Sequence, residues 1–261
     1  MRRCHEALIA VLLGAVLSAH VQAARLVSLA PALTETLAAL HACDQVVGQL
    51  GGQGVTNYCP QAPILGTATG WSEEALLATH PDAVLAWPEG MQSARLEALQ
   101  QRGLVVYRYS VRHMVDVQSQ IWRLGVLTGH QHEALILINN LEVEQRETAR
   151  RYQFKPWLRV FYQVWPVPLM TLGQDHYVTH ALALCHIHLL VPQTTLAAPS
   201  VDPEWVLDQH PDRILVPADQ DIPSWWAHGH VPVRRADVAR LERPGPFMLN
   251  DLPTICDKLR Q

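Results

Sequence analysis

The chain lacks a surplus of positive charge. Its 20 Lys and Arg residues are outnumbered by 24 Asp and Glu, for a net charge of −4. That argues against a general nucleic-acid binder, whose surface is ordinarily basic. It also lacks the Gly-x-Ser-x-Gly turn of a hydrolase, a phosphate-binding glycine loop and a dinucleotide glycine fingerprint. The common signatures of acyl, phosphoryl and hydride transfer are therefore missing. Ser28 follows a strand-like run in "SLAPALTE" but belongs to no such elbow. Cysteine is sparse, and no close pair has the spacing of a zinc finger. There is no low-complexity tract. The apolar run from Ala7 to Ala19 is too short for a comfortable membrane span.

That run has a different use. Arg2 and Arg3 precede it and the small residues Val21 and Ala23 follow it, the pattern of a secretory signal over residues 1–23, cleaved after Ala23. Cys4 lies before the run, so no lipid-attachment cysteine stands at the cleavage point. The expectation is a soluble exported protein, periplasmic in a cell with two membranes, without direct membrane insertion. Export leaves Cys43, Cys59, Cys185 and Cys256, an even number in an oxidising compartment. Of the three connectivities, Cys43 with Cys59 and Cys185 with Cys256 keeps each bridge within one half of the chain.

One phrase is written twice. "HPDAVLAW" begins at His80 and "HPDRILVP" at His210, and Ser72 to Leu77 aligns upstream with Asp202 to Leu207 without a gap. Ser72 and Asp202 suit helix N-caps, and Pro203 suits a first helical turn. Pro81 and Pro211 then stop each helix, because the residue before proline avoids the helical region. A short apolar strand follows each stop, Ala83 to Ala86 and Arg213 to Val216. Such strands after helices indicate parallel sheets covered on both faces. "RLVSLAP" at Arg25 and "RVFYQVWP" at Arg159 repeat the pattern of a basic residue, a strand and a proline.

The reading is of two α/β lobes, residues 24–127 and 157–261, joined over residues 128–156. In the joining segment Ala134, Leu135, Ile138, Leu141 and Val143 approximate helical spacing, and no proline occurs until Pro156. It reads as one long helix rather than a flexible linker, and it predicts modest lobe closure, because hinges need residues that absorb large dihedral changes. Ligands of such sheets bind beyond the carboxyl ends of the strands, here the cleft between the lobes. Tyr58 follows a glycine-rich stretch, Trp71 precedes a helix cap, Trp87 ends one strand, and Trp165 ends another that spans Val160 to Val164. Aromatics placed so suit a broad, flat ligand held by stacking.

These motifs resemble those of the periplasmic cobalamin-binding proteins of ABC importers, the BtuF-like group of helical-backbone (class III) substrate-binding proteins. The matching phrases are "RLVSLAPALTE" at Arg25, "NYCP" at Asn57, "EEALLATHPDAVLAW" at Glu73, "RVFYQVWPVPLMT" at Arg159, "ALALC" at Ala181, "APSVDPEWVLDQHPD" at Ala198 and "RPGP" at Arg243. The resemblance implies two Rossmann-like lobes with central parallel sheets, joined by one backbone helix, with the ligand cleft between them. It implies capture of cobalamin (vitamin B12) by Tyr58, Trp71, Trp87, Trp165 and Arg243, although the family's tryptophan near Trp71 aligns a few residues away. It implies delivery to a permease dimer with ATPase subunits, with Glu74 and Glu204 as one acidic knob per lobe. A Cys185–Cys256 bridge also follows the family, whereas Cys43–Cys59 rests on compartment alone. No enzyme activity and no resident cofactor are expected.

The chain departs from the family in places. His186-Ile187-His188 stands where Gly-Gly usually follows Cys185, so that helix end must be capped differently. Ala198 replaces an aromatic near the cleft, and the stretch from Ser224 to Glu242 is shortened. Haem, a ferric siderophore or a metal ion is the alternative ligand. Tyr58 and Tyr177 are candidate haem ligands. His176 and His180, four apart on a predicted helix, with His186 and His188 close by, are candidates for metal, for which three convergent ligands are needed.

Overall fold

The two copies of the repeated phrase build the same unit. The computed structural model describes residues 24–52, 56–88, 91, 93–227 and 230–261. The expected signal sequence, residues 1–23, lies outside them. The first half runs β1 (Leu26–Ser28), α1 (Pro31–Ala39), β2 (Val46–Gln49), the hairpin β3 (Gly66–Thr67) and β4 (Gly70–Trp71), α2 (Glu73–Ala78), β5 (Ala83–Ala86), α3 (Ser93–Gln101) and β6 (Val105–Arg108). Two helices follow, α4 (Met114–Thr128) and α5 (Gln131–Tyr152). The second half runs β7 (Leu158–Tyr162), α6 (Tyr177–Ala183), β8 (Ile187–Leu189), α7 (Pro203–Asp208), β9 (Arg213–Pro217), β10 (Val233–Ala236) and α8 (Leu252–Arg260).

Each half holds a four-stranded, all-parallel sheet, ordered β2-β1-β5-β6 in the first and β8-β7-β9-β10 in the second. In both, the second strand in sequence lies outside the first, and the third and fourth continue on the other side. Successive residues of a strand face opposite ways, and the strands are apolar on both faces. Leu26 and Leu85 point to one core cluster, Val27 and Val84 to another that also holds Trp71, Leu76 and Leu96. In the second half Tyr162 and Leu215 face the first cluster, while Phe161, Ile214 and Trp226 form a third. The expectation of parallel sheets covered on both faces is met.

The ends of the two short helices show why the phrase repeats. The Arg25 guanidinium donates to the carbonyls of Thr79, at 2.6 Å, and His80, at 3.0 Å, while its backbone N–H donates to Asp82 Oδ2 at 2.8 Å. Arg159 does the same in the second half, donating to the Gln209 carbonyl and, from its backbone, to Asp212 Oδ2 at 2.7 Å. A cation therefore meets the last carbonyls of α2 and α7, where the helix dipole favours it. The turn differs from the expected extended residue before proline. His80 and His210 take left-handed backbone angles, φ 46° and 49°, which histidine adopts more readily than most residues. The N-caps differ too. The Ser72 hydroxyl accepts the Ala75 N–H at 3.1 Å, whereas Asp202 makes no side-chain cap bond and leaves the start of α7 to Pro203.

The joining segment is shorter than expected. Gly129, at φ 78°, caps α4 in the left-handed conformation, so helix does not run unbroken from residue 128. The continuous helix is α5, with 22 residues and a length of about 33 Å. Its buried stripe is Ala134, Leu137, Leu141, Thr148 and Tyr152. Leu135, read as part of that face, is instead 56% exposed. Leu137, Leu141 and Tyr152 belong to a single cluster that also contains Leu26 of the first sheet and Val160 of the second. Two disulfides join Cys43 to Cys59 and Cys185 to Cys256, the expected pairs.

Candidate functional site

The carboxyl ends of the two sheets face a common cleft of about 430 Å³, within the range of small-ligand sites. Trp87, immediately after β5, and Val111 and Arg112, after β6, form one wall. Gln174, Asp175 and His176, before α6, and Thr194 to Ala197, after β8, form the other. The second wall is braced by backbone bonds from Gly173 N–H to Ala197 O, at 2.8 Å, and from Thr171 N–H to Pro199 O, at 3.0 Å. The Trp87 indole N–H is buried and has no acceptor among the described residues, which leaves a donor beside the cleft. His176 Nδ1 accepts the Val178 N–H, capping α6. Burial, assisted by the neighbouring His180, pushes the His176 pKa down to about 4. The ring is neutral at pH 7, and the second wall offers it as a polar but uncharged surface.

Tyr58 and Arg243, far apart in sequence, come together around a residue the sequence reading did not single out. The Tyr58 hydroxyl donates to Glu35 Oε1 at 2.8 Å. Glu35, on α1, is only 4% exposed, and its Oε2 has no partner among the described residues. Burial and then the Glu35 carboxylate raise the Tyr58 pKa, with the Arg243 charge working against them. Arg243 Nε is likewise buried without an acceptor among the described residues. The segment carrying it is fixed to α4 by a 2.9 Å bond from Gln120 Nε2 to Pro244 O. Gly245 brings this segment close to the same carboxylate: a Cβ there would lie 2.9 Å from Glu35 Oε2.

The other aromatics fall elsewhere. Trp71, expected at the ligand face, is 7% exposed and packs with Val27, Leu29 and Leu76, with the Arg95 guanidinium 3.7 Å from its ring centroid. It is a core residue, because β4 turns its side chain onto the outer face of the first sheet. Trp165 is 55% exposed. β7 stops at Tyr162, short of the expected Val164, and Trp165 lies beyond it in a turn closed by Trp165 N–H to Met170 O and Met170 N–H to Trp165 O, with its indole N–H donating to Val167 O at 3.1 Å. Of these aromatics Trp87 lines the pocket described above, while Tyr58 is bonded to the buried Glu35.

Glu74 and Glu204 occupy the same position, the second residue of α2 and α7, and both are exposed. Hydrogen bonds hold the Glu74 carboxyl below its ordinary range, from its own backbone first and then from the Ser72 hydroxyl at 3.1 Å.

The four histidines read together in sequence do not converge. His186 stacks on Trp157 with ring centroids 4.6 Å apart, and its Nδ1 lies 2.8 Å from Lys155 O. His188 sits exposed on β8, and His176 is engaged as a cap. The missing Gly-Gly is compensated by His186 itself, which takes φ 54° beyond the end of α6. Tyr177 is buried with its hydroxyl donating to Glu242 O at 2.6 Å, which removes it as an axial ligand. His180 instead meets His113, a residue the sequence reading passed over, with ring centroids 5.0 Å apart. Arg112 and Asp175 were also missed. Their signal was their place just past strand ends or before a helix, a weaker cue than an aromatic.

Residues 26–222 match the periplasmic binding protein family. A vitamin B12-binding protein of Pectobacterium carotovorum is 27% identical over 246 residues, covering 90% of this chain and 88% of that protein. Among solved structures, the periplasmic vitamin B12 binding protein BtuF of Vibrio cholerae superimposes with a TM-score of 0.79 at 22% identity, over 91% of this chain and 97% of that one. S. aureus IsdE, complexed with heme, superimposes with a TM-score of 0.76 at 17% identity, over 91% and 99%.

Proposed function

Since the chain belongs to the periplasmic binding protein family, we propose that it captures cobalamin or a related corrinoid in the cleft between its two sheets and delivers it to an ABC importer. The supporting observation is the cleft itself: an opening at the carboxyl ends of both parallel sheets, with Trp87 on one wall and the uncharged His176 on the other. An indole beside a slot suits the face or edge of a large ring, and its unused N–H suits one of the ring's amide side groups. The vitamin B12-binding relative matching nine-tenths of the chain supports this ligand over others. Glu74 and Glu204, presented at equivalent positions of α2 and α7, are the groups proposed to meet cationic side chains of a two-fold permease. The protein works in the periplasm as a carrier, and no covalent step is assigned to it.

Titration of the mature protein with cyanocobalamin, followed by tryptophan fluorescence and visible absorbance, tests the reading. Saturable binding of one corrinoid per chain at micromolar concentration or tighter is expected. The heme-bound structural relative makes haemin the comparison ligand. Tight haemin binding with no cobalamin binding would transfer the site to haem.

A further inference from the structure

The geometry points to a divalent transition-metal site, built by His113, Asp175 and His180, that joins the two halves of the protein beside the cleft. His113 lies between β6 and α4, so it comes from the first half, whereas Asp175 and His180 lie just before and on α6, in the second. One ligating atom from each lies within 4.8 Å of the others. His113 Nε2 and Asp175 Oδ1 are 3.9 Å apart, too far for a hydrogen bond. His180 Nε2 is buried and has no hydrogen-bond partner among the described residues. Three groups therefore converge without satisfying one another.

Two imidazoles and a carboxylate with a free fourth position suit Zn²⁺ or a neighbouring first-row dication, in preference to the all-oxygen shells of Ca²⁺ and Mg²⁺. Tetrahedral bonds of about 2.0–2.1 Å place ligand atoms roughly 3.3–3.4 Å apart. Reaching that spacing requires only small rotations, and the side chains of His113 and Asp175 are 46% and 73% exposed, with room to make them. The opposite ring nitrogen of His113 has a carboxylate within reach of a small ring rotation. Its Nδ1 lies 3.6 Å from Asp116 Oδ2, and that carboxylate is anchored by the backbone N–H groups of Arg112, at 2.9 Å, and His113, at 2.8 Å. A carboxylate behind a histidine is the usual support of a metal-bound imidazole. Asp175 also lines the cleft, so a bound cation would fix the spacing of its walls.

Untagged, chelator-treated mature protein is titrated with Zn²⁺ by calorimetry and with Co²⁺ by visible absorption. One ion per chain is expected, with a Co²⁺ ligand-field band of a low-coordinate site and a higher melting temperature in Zn²⁺. His113→Ala, His180→Ala and the conservative Asp175→Asn should each weaken binding by about tenfold or more, while His188→Ala, at the exposed position of β8, leaves it unchanged. Circular dichroism confirms that each variant is folded. No saturable binding by the wild-type protein, undiminished binding in the three variants, or an equal loss in His188→Ala overturns the site. None of these outcomes depends on whether cobalamin is the cargo.

Discussion

The carboxylate of Asp82 accepts the backbone N–H of Arg25 at 2.8 Å, tying the end of one helix-turn-strand unit to the start of the neighbouring strand. Asp212 and Arg159 repeat the bond at 2.7 Å. The His-Pro-Asp written twice is thus a structural clasp: histidine makes the left-handed turn, proline stiffens it, and aspartate holds the adjacent strand. Asp82→Ala and Asp212→Ala are each expected to cost about 1 kcal/mol. The two share no partner, so the double variant should show the sum. Urea denaturation measures this, and unchanged midpoints would show that the clasps carry no stability.

Trp87 and Trp71 separate ligand binding from folding. Trp87→Ala should weaken corrinoid binding about 10- to 100-fold, the effect of losing a central aromatic contact, with little change in melting temperature. Trp71→Ala should do the reverse, costing about 3–5 kcal/mol of stability through the cavity it leaves while the folded fraction binds normally. Paired thermal melts and titrations distinguish them. Equal affinity losses would place Trp71 back at the ligand.

The acidic pair is tested in transport. Glu74→Arg combined with Glu204→Arg is expected to abolish uptake in cells that depend on this importer and to leave cyanocobalamin affinity intact. Both side chains are exposed and distant from the core contacts of α2 and α7, made by Leu76 and Val206, so folding should not suffer. Undiminished uptake by the double variant would remove these residues from the docking surface.

Glu242 supplies a pH dependence. Burial raises its carboxyl above the ordinary range, and the hydrogen bond from the Tyr162 hydroxyl only partly opposes this. The folded protein therefore holds this proton more tightly than the unfolded chain. The resulting stabilisation is fully present below the unfolded pKa and is lost as pH rises through the folded one. Glu242→Gln, which keeps an uncharged group in place, should gain melting temperature relative to wild type as pH is raised from about 4.5 to 8. A variant that instead loses ground over that range would reverse the assigned direction.

Much of the fold was legible because its signals are local. Apolar tetrads such as Ala83 to Ala86 can hardly be anything but strands buried on both faces, and the repeat gave the second half from the first. The disulfide pairs followed from compartment and position. What escaped depended on three-dimensional approach. Trp71 sits at a glycine-rich hairpin in sequence, and only the pairing of β3 with β4 shows its ring facing inward. The reading of one helix over residues 128–156 took no account of Gly129, whose φ of 78° separates α4 from α5. The meeting of Tyr58 with Glu35, and of His113 with His180, spans 23 residues in one case and both halves of the chain in the other. No periodicity encodes such encounters.

The apolar interior that passes from Leu26 through Leu137, Leu141 and Tyr152 to Leu259 is held in common by both halves. Cutting the chain at Gly129 would strip each fragment of one side of its packing and open that seam to water. Although the sheet topology occurs twice, a single cooperative transition is therefore expected, with neither fragment folding alone, and calorimetry resolving two separate transitions would contradict it.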